Sequence, residues 1–229
     1  MPGMSTQDNG EGGPVGTAPP RRRRGRTPKL SRPAIFAAAI ALIDRDGPGA
    51  LTMRSLADAL GVEAMSLYRH VPSKQALLDG VAEQLMSEIE PRGASADWTS
   101  AVRGFASSIR GLARSHPQAF TLVALRALDG ASALQPVEDL LASLRGAGFT
   151  PARAVAAYRV VAAYTRGWAL EEVAGFALDE REQLDSELLA DRFPTIRALG
   201  RQLASEPSRG SFRAGLELII DGLRSGHEQ

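Results

Sequence analysis

From Ser31 almost to its end, this chain repeats apolar side chains at the three- and four-residue intervals of a helix, with no convincing period-2 alternation and no hairpin signal. That regularity constrains the fold more than any other feature. It leaves no strands from which to build a sheet, so the chain is expected to be all-α. Caps and breakers divide the pattern. Ser31 is an N-cap with Pro33 in the first turn, and Ile35, Ala39, Leu42 and Ile43 share a face until Gly47-Pro48-Gly49 stops the helix. Thr52 caps a short helix from about Met53 to Leu60, Gly61 breaks it, and a third runs from about Glu63 to His70. Pro72-Ser73 ends that one and caps a fourth, Lys74 to about Ile89, followed by a linker from Pro91 to Ala96.

The second half reads as longer helices. Asp97 caps one that carries Trp98, Val102, Phe105, Ile109 and Leu112; Pro117 opens another, to about Leu128; a third covers Leu134 to Arg145. Thr150-Pro151 opens the longest, to about Leu178. A poorly defined helical region surrounds Glu187 to Leu203, and the last helix spans about Phe212 to Leu223.

Composition narrows the function. There is no Cys and there are only three His, which excludes disulfide scaffolds, zinc fingers, iron–sulfur sites and thiol nucleophiles; no metal or cofactor is expected. The longest apolar run, Ala34 to Ile43, is ten residues, too short to span a bilayer, and no signal peptide is visible, so a cytoplasmic protein without membrane contact is expected. No Gly-rich phosphate loop, Ser-centred elbow, metal-spaced His pair or paired carboxylates stand out, which argues against an enzyme. Charge is polarised. Residues 1–78 hold 11 basic against 6 acidic residues, a balance of +5, while the remainder holds 16 against 20, a balance of −4. A basic front on an acidic body points to a polyanion as partner. The Gly/Pro-rich residues 1–30 are expected to be disordered, and their run Arg21-Arg22-Arg23-Arg24-Gly25-Arg26 is either a solvated tail or an arm that follows phosphates or enters a minor groove.

The informative segment is Thr52-Met53-Arg54-Ser55-Leu56-Ala57-Asp58-Ala59-Leu60-Gly61-Val62-Glu63-Ala64-Met65-Ser66-Leu67-Tyr68-Arg69-His70. Two short helices about Gly61 describe a helix-turn-helix, although a generic helical hairpin has the same outline. Leu56, Ala57, Leu60, Val62 and Leu67 face inward; Glu63, Ser66, Arg69 and His70 face outward beside Ala64, Met65 and Tyr68. The order Leu51-Thr52-Met53-Arg54-Ser55-Leu56-Ala57, Leu60-Gly61-Val62, Ser66-Leu67-Tyr68-Arg69-His70-Val71 and Ser73-Lys74 followed by Leu77-Leu78 resembles the DNA-binding domain of the TetR family of bacterial repressors, its tetracycline-repressor branch especially. A weaker likeness lies in Tyr164-Thr165-Arg166-Gly167-Trp168-Ala169-Leu170-Glu171-Glu172. The resemblance implies that Thr52, Tyr68 and Lys74 hold phosphates, that Arg54 reads guanine, and that His70 lies at the DNA face. Ala64, Met65, Ser66 and Arg69 complete the DNA-binding set, but Ala64, Met65 and Arg69 depart from the tetracycline repressors, so the operator need not resemble theirs. An Arg fork suits guanine because it bonds two major-groove acceptors at once.

For the remainder the resemblance implies dimerisation and sensing of a small molecule. The expected division is a basic arm over 1–30, a helix-turn-helix domain over 31–78, and a helical ligand-binding and dimerisation domain over 79–229. A homodimer on an inverted-repeat double-stranded operator, released by an effector, is the expected mechanism; a ligand-blind dimeric regulator is the alternative. The long helix, with Ala156, Ala157, Ala162, Ala163 and Gly167, and the last helix, with Leu216, Ile219, Ile220 and Leu223, are the candidate interface. Phe105, His116, Phe120, Tyr158, Tyr164 and Trp168 are the candidate ligand-binding residues, with Trp98 and Phe176 as further aromatic walls.

Overall fold

Ser31 opens the first helix by accepting a hydrogen bond from the Ala34 N–H at 3.4 Å, and Gly47, at φ 83°, closes it. In the computed structural model, which describes residues 30–90, 92–124, 126, 130–174, 192–203 and 209–225, this is α1, Arg32–Asp46. A short 3-10 turn leads to α2, Met53–Leu60, then α3, Ala64–Tyr68, and α4, Lys74–Met86. Beyond the linker come α5, Trp98–Ser115, α6, Pro117–Val123, α7, Ala131–Gly146, and α8, Pro151–Ala174; α9, Pro194–Leu203, and α10, Arg209–Ser225, follow. The described residues contain no strand. The expected N-terminal arm up to residue 29, Phe176, the end of the long helix past Ala174 and residues 187–191 lie outside the described residues.

Two apolar cores stack along the molecule. Ile35, Leu56, Leu67, Leu77 and Leu85 bring α1–α4 together and continue into α5 and α6 through Leu112 and Phe120. Val102, Leu144, Phe149, Val161, Leu216 and Ile220 join α5, α7, α8 and α10. Helix α5 runs through both, and α8 is its most extensive partner. A part-buried Arg110–Glu172 pair at 2.6 Å ties α5 to α8, with the guanidinium 4.8 Å over the Phe212 ring, and Arg103–Glu217 at 2.7 Å ties α5 to α10. The linker before α5 is held on α7: the Arg92 and Gly93 N–H groups donate to Asp139 at 3.1 and 2.9 Å, and the Ser95 N–H donates to Ser143 at 2.8 Å.

Helix α4 meets α1 through a missing side chain. A Cβ on Gly80 would lie 2.0 Å from Cζ of the buried Phe36 ring. The Gly80→Ala variant gains about 1 kcal/mol of helix propensity but must push that stiff ring aside, an overpacking cost of about 1–3 kcal/mol. A net loss of up to about 2 kcal/mol is therefore expected. Urea unfolding measures it; a Gly80→Ala protein more stable than the parent would show that the ring moves freely.

Candidate nucleic-acid interface and internal cavity

The geometry of α2 and α3 follows from local chemistry. Thr52 and Ser55 form a reciprocal cap: the Ser55 N–H donates to the Thr52 hydroxyl and the Thr52 N–H to the Ser55 hydroxyl, both at 3.0 Å. The Ser55 hydroxyl also reaches back to the Ala50 carbonyl at 2.6 Å, which fixes how the chain enters α2. Gly61 then adopts φ 66°, a left-handed conformation that glycine reaches without Cβ strain, and the Val62 N–H returns to the Ala57 carbonyl at 3.0 Å. This turn lets Leu67 and Val71 pack fully buried against the same core as Leu56 and Ala57.

What remains outside is a polar and basic face. Met65 is 70% exposed and Tyr68 43%; Thr52, Arg54, Arg69 and Lys74 are exposed as well, and Ala64, Ser66 and His70 are half-buried. All nine expected residues thus lie at least partly at the surface of α2, α3, α4 or the turns beside them. Arg54, Arg69 and Lys74 make no ion pair or hydrogen bond with the described residues, so their charge is free for an anion. Helix α3 is shorter than the sequence pattern predicts, and His70 falls two residues past its end.

Carboxylates fasten α4 to the body. Asp79 accepts from Arg126 at 2.5 Å. Glu83 accepts the Ser132 N–H at 3.0 Å at the start of α7, where Gly130 leaves room for it: a Cβ there would lie 1.8 Å from the carboxylate oxygen. Just past α4, Glu88 meets His116 Nε2 at 3.0 Å, and His116 Nδ1 meets Asp44 of α1 at 2.6 Å. The other Asp44 oxygen accepts the Ala119 N–H at 3.0 Å in the first turn of α6.

A cavity of about 250 Å³ lies between α4 and the body. Met86 of α4 and Ala133 of α7 close parts of it, and Phe105, Phe120 and Tyr158 supply aromatic walls. The Phe105 and Tyr158 rings meet edge to face at 6.2 Å. The other three residues expected here lie elsewhere. His116 is held outside by Asp44 and Glu88. Tyr164 and Trp168 turn toward α10, where Tyr164 stacks on Phe212 at 5.6 Å and donates its hydroxyl to the Phe212 carbonyl at 2.9 Å. Two arginines that aromatic content does not reveal, Arg126 and Arg166, complete the wall. Arg166 was findable: it sits two residues from Tyr164, but about 200° round the helix, on the side that carries Tyr158 and Ala162.

The opposite faces of α8 and α10 stay uncovered. Ala156, Ala163 and Gly167 are exposed on α8 together with Val155 and Val160; on α10, Leu218 is 76% exposed beside Ala214 and Gly222. Ala157 and Ala162, expected at an interface, are buried within the chain, as are Leu216 and Ile220.

A helix-turn-helix with exposed basic side chains, carried on a helical body that holds a cavity, defines a DNA-binding transcriptional regulator of the ligand-sensing kind. The comparisons fix the family. The model for bacterial regulatory proteins of the tetR family matches residues 35–81, and the tetracyclin repressor-like C-terminal domain matches residues 90–226. The chain belongs to the TetR family. It is 34% identical over 209 residues to an HTH-type transcriptional regulator of Saccharopolyspora erythraea, covering 85% of this chain and 88% of that protein. It is 33% identical to the class A tetracycline repressor of transposon 1721 in Escherichia coli, covering 85% and 91%. Among solved structures, ActR of Streptomyces coelicolor in complex with actinorhodin superposes with a TM-score of 0.75 at 25% identity, covering 88% of this chain and 100% of that one. BioQ with its double-stranded DNA operator gives 0.64 at 27% identity, covering 86% and 99%.

Proposed function

We propose that this protein is a dimeric repressor that binds an inverted-repeat operator and leaves it when a small molecule fills the cavity beneath α4. The observation that carries this reading is the position of α4. It forms part of the reader's core and, through Met86, part of the cavity wall. Occupancy of the cavity and orientation of the reader are therefore set by one helix. ActR with actinorhodin and BioQ with its operator support the two halves of the reading. Residues 31–78 are the reader in this proposal, 79–229 the sensing and dimerisation domain, and 1–30 an arm that adds affinity. A ligand shifts the equilibrium only by the ratio of its affinities for the two arrangements, and DNA weakens the ligand by the same factor. The deciding experiment is a titration of the full chain against DNA upstream of its own gene, with random DNA as competitor and salt varied. Specific binding to a footprinted inverted repeat supports the proposal; preference no better than random across genome-wide selected fragments overturns it.

Two side-chain roles separate in the same assay. In the proposal Arg54 reads a base, so Arg54→Ala costs about 1–3 kcal/mol and relaxes specificity at one operator position. Lys74 holds a phosphate, so Lys74→Ala weakens all DNA alike and lowers the salt slope by about 1. Reversal of these two signatures would exchange the assignments. Deleting residues 1–28 removes the five clustered arginines. It is expected to weaken specific and random DNA together and to flatten the salt dependence; an unchanged slope would mean the arm touches no phosphate.

A further inference from the structure

Two arginines line the cavity, the half-buried Arg126 and the exposed Arg166, and, among the described residues, no carboxylate does. Arg166 makes no ion pair or hydrogen bond with the described residues. Arg126 is satisfied on its outer side, where Nη2 meets Asp79. Guanidinium stays protonated at any working pH, so a ligand entering past this rim meets fixed positive charge. Cationic molecules are repelled, and neutral ones leave the exposed Arg166 to water alone. Phe105, Phe120 and Tyr158 offer flat apolar contact.

We propose that the effector is a planar aromatic molecule bearing an ionised acid group, held by Arg126 and Arg166, and that this anion displaces Asp79 from Arg126. The inference rests on the cavity being the effector site. It adds the ligand's charge class and a route to the reader. Asp79 belongs to α4, Arg126 lies beyond α6, and their contact is one of the ties between reader-bearing helix and body. Effector anion and Asp79 compete for one guanidinium, so binding loosens that tie. Asp79 is 57% exposed and returns to water on release without a buried charge being stranded.

The test uses the full chain and two fluorescent probes of one aromatic frame, anilinonaphthalene sulfonate, which is anionic, and phenylnaphthylamine, which is neutral. The sulfonate is expected to bind more tightly by about tenfold, the size of one charge-assisted hydrogen bond. Arg126→Gln and Arg166→Gln should each remove about tenfold from the sulfonate and leave the neutral probe unchanged. Asp79→Asn, which frees Arg126, should tighten the sulfonate alone by about threefold, the scale of an exposed ion pair. All three positions are at the surface or the cavity rim, so the variants keep the core intact. Equal affinities for the two probes, or a sulfonate affinity indifferent to both arginine variants, would overturn the acid-recognition inference while the neutral probe still reported a working cavity. Binding of neither probe would overturn the cavity reading and this inference with it.

Discussion

Leu218→Arg is expected to leave each protomer folded, to turn the dimer into monomer, and to reduce operator affinity on the order of 10³-fold. Leu218 is 76% exposed on α10, so within one chain it buries almost nothing, and its replacement by Arg costs the protomer only a few tenths of a kcal/mol. Its neighbours Ala214 and Gly222, and Ala156, Ala163 and Gly167 on the adjacent helix α8, are small enough to let another pair of helices approach closely. If that face is the dimer interface, the leucine is buried against the partner, and a guanidinium in its place carries an unpaired charge into the contact. A single reader grips only a few base pairs. Two readers held about 34–36 Å apart multiply their specificity, which is the gap between typical specific constants of about 10⁻⁸ M and non-specific ones of about 10⁻⁵ M. Light scattering reports the mass, far-UV circular dichroism the fold, and competition with random DNA the operator affinity. A dimeric Leu218→Arg protein that still binds its operator would move the interface off α8 and α10.

The elements most legible in the sequence are those with a local cause. Helix α2 starts and stops where Thr52 and Gly61 place it, and Ser31, Ser73 and Asp97 each cap the helix that follows them. The boundaries that moved depend on distant residues. Helix α7 begins at Ala131 rather than near Leu134 because Glu83, almost fifty positions earlier, supplies the acceptor for the Ser132 N–H. No side chain within the segment plays that part, so no scan of the segment reveals it. The cavity shows the same limit. Aromatic content marks Phe105, Phe120 and Tyr158, but aromatics also build ordinary core, and Tyr164 and Trp168 went to the contact with Phe212. The sites that resist sequence reading are those assembled from charges far apart in the chain, Arg126 with Asp79 and His116 with Asp44 and Glu88. The nine residues proposed to meet DNA do not depend on such distant pairs: they fall within 23 consecutive positions whose backbone is shaped by its own caps and one glycine.

The His116 junction gives the second large effect. Its imidazole stands between Asp44 of α1 and Glu88 beyond α4, and the same Asp44 terminates the first turn of α6. Burial opposes the charge, but the hydrogen bond to Asp44 and the nearby Glu88 carboxylate outweigh it, so the His116 pKa is raised above its ordinary 6.5. A raised folded-state value means that the clamp contributes its full stability below 6.5, where folded and unfolded chains both hold the proton, and loses it as pH climbs through the raised value. His116→Gln should therefore flatten the stability curve above 6.5 while leaving the acid limb to the carboxylates. Asp44→Asn keeps an oxygen for the Ala119 N–H but removes the charge, and is expected to cost about 1–2 kcal/mol at pH 6, a charge-assisted hydrogen bond discounted for partial exposure. Asp44→Ala also strips the α6 cap and should cost about 1 kcal/mol more. At a pH well above the raised value the Asp44→Asn penalty should shrink, because the imidazole it has lost is then neutral. Urea unfolding of the three variants across pH tests each step; an Asp44→Asn penalty that stays constant with pH would show that His116 is neutral in the folded protein and that the junction between reader and body carries no ion pair.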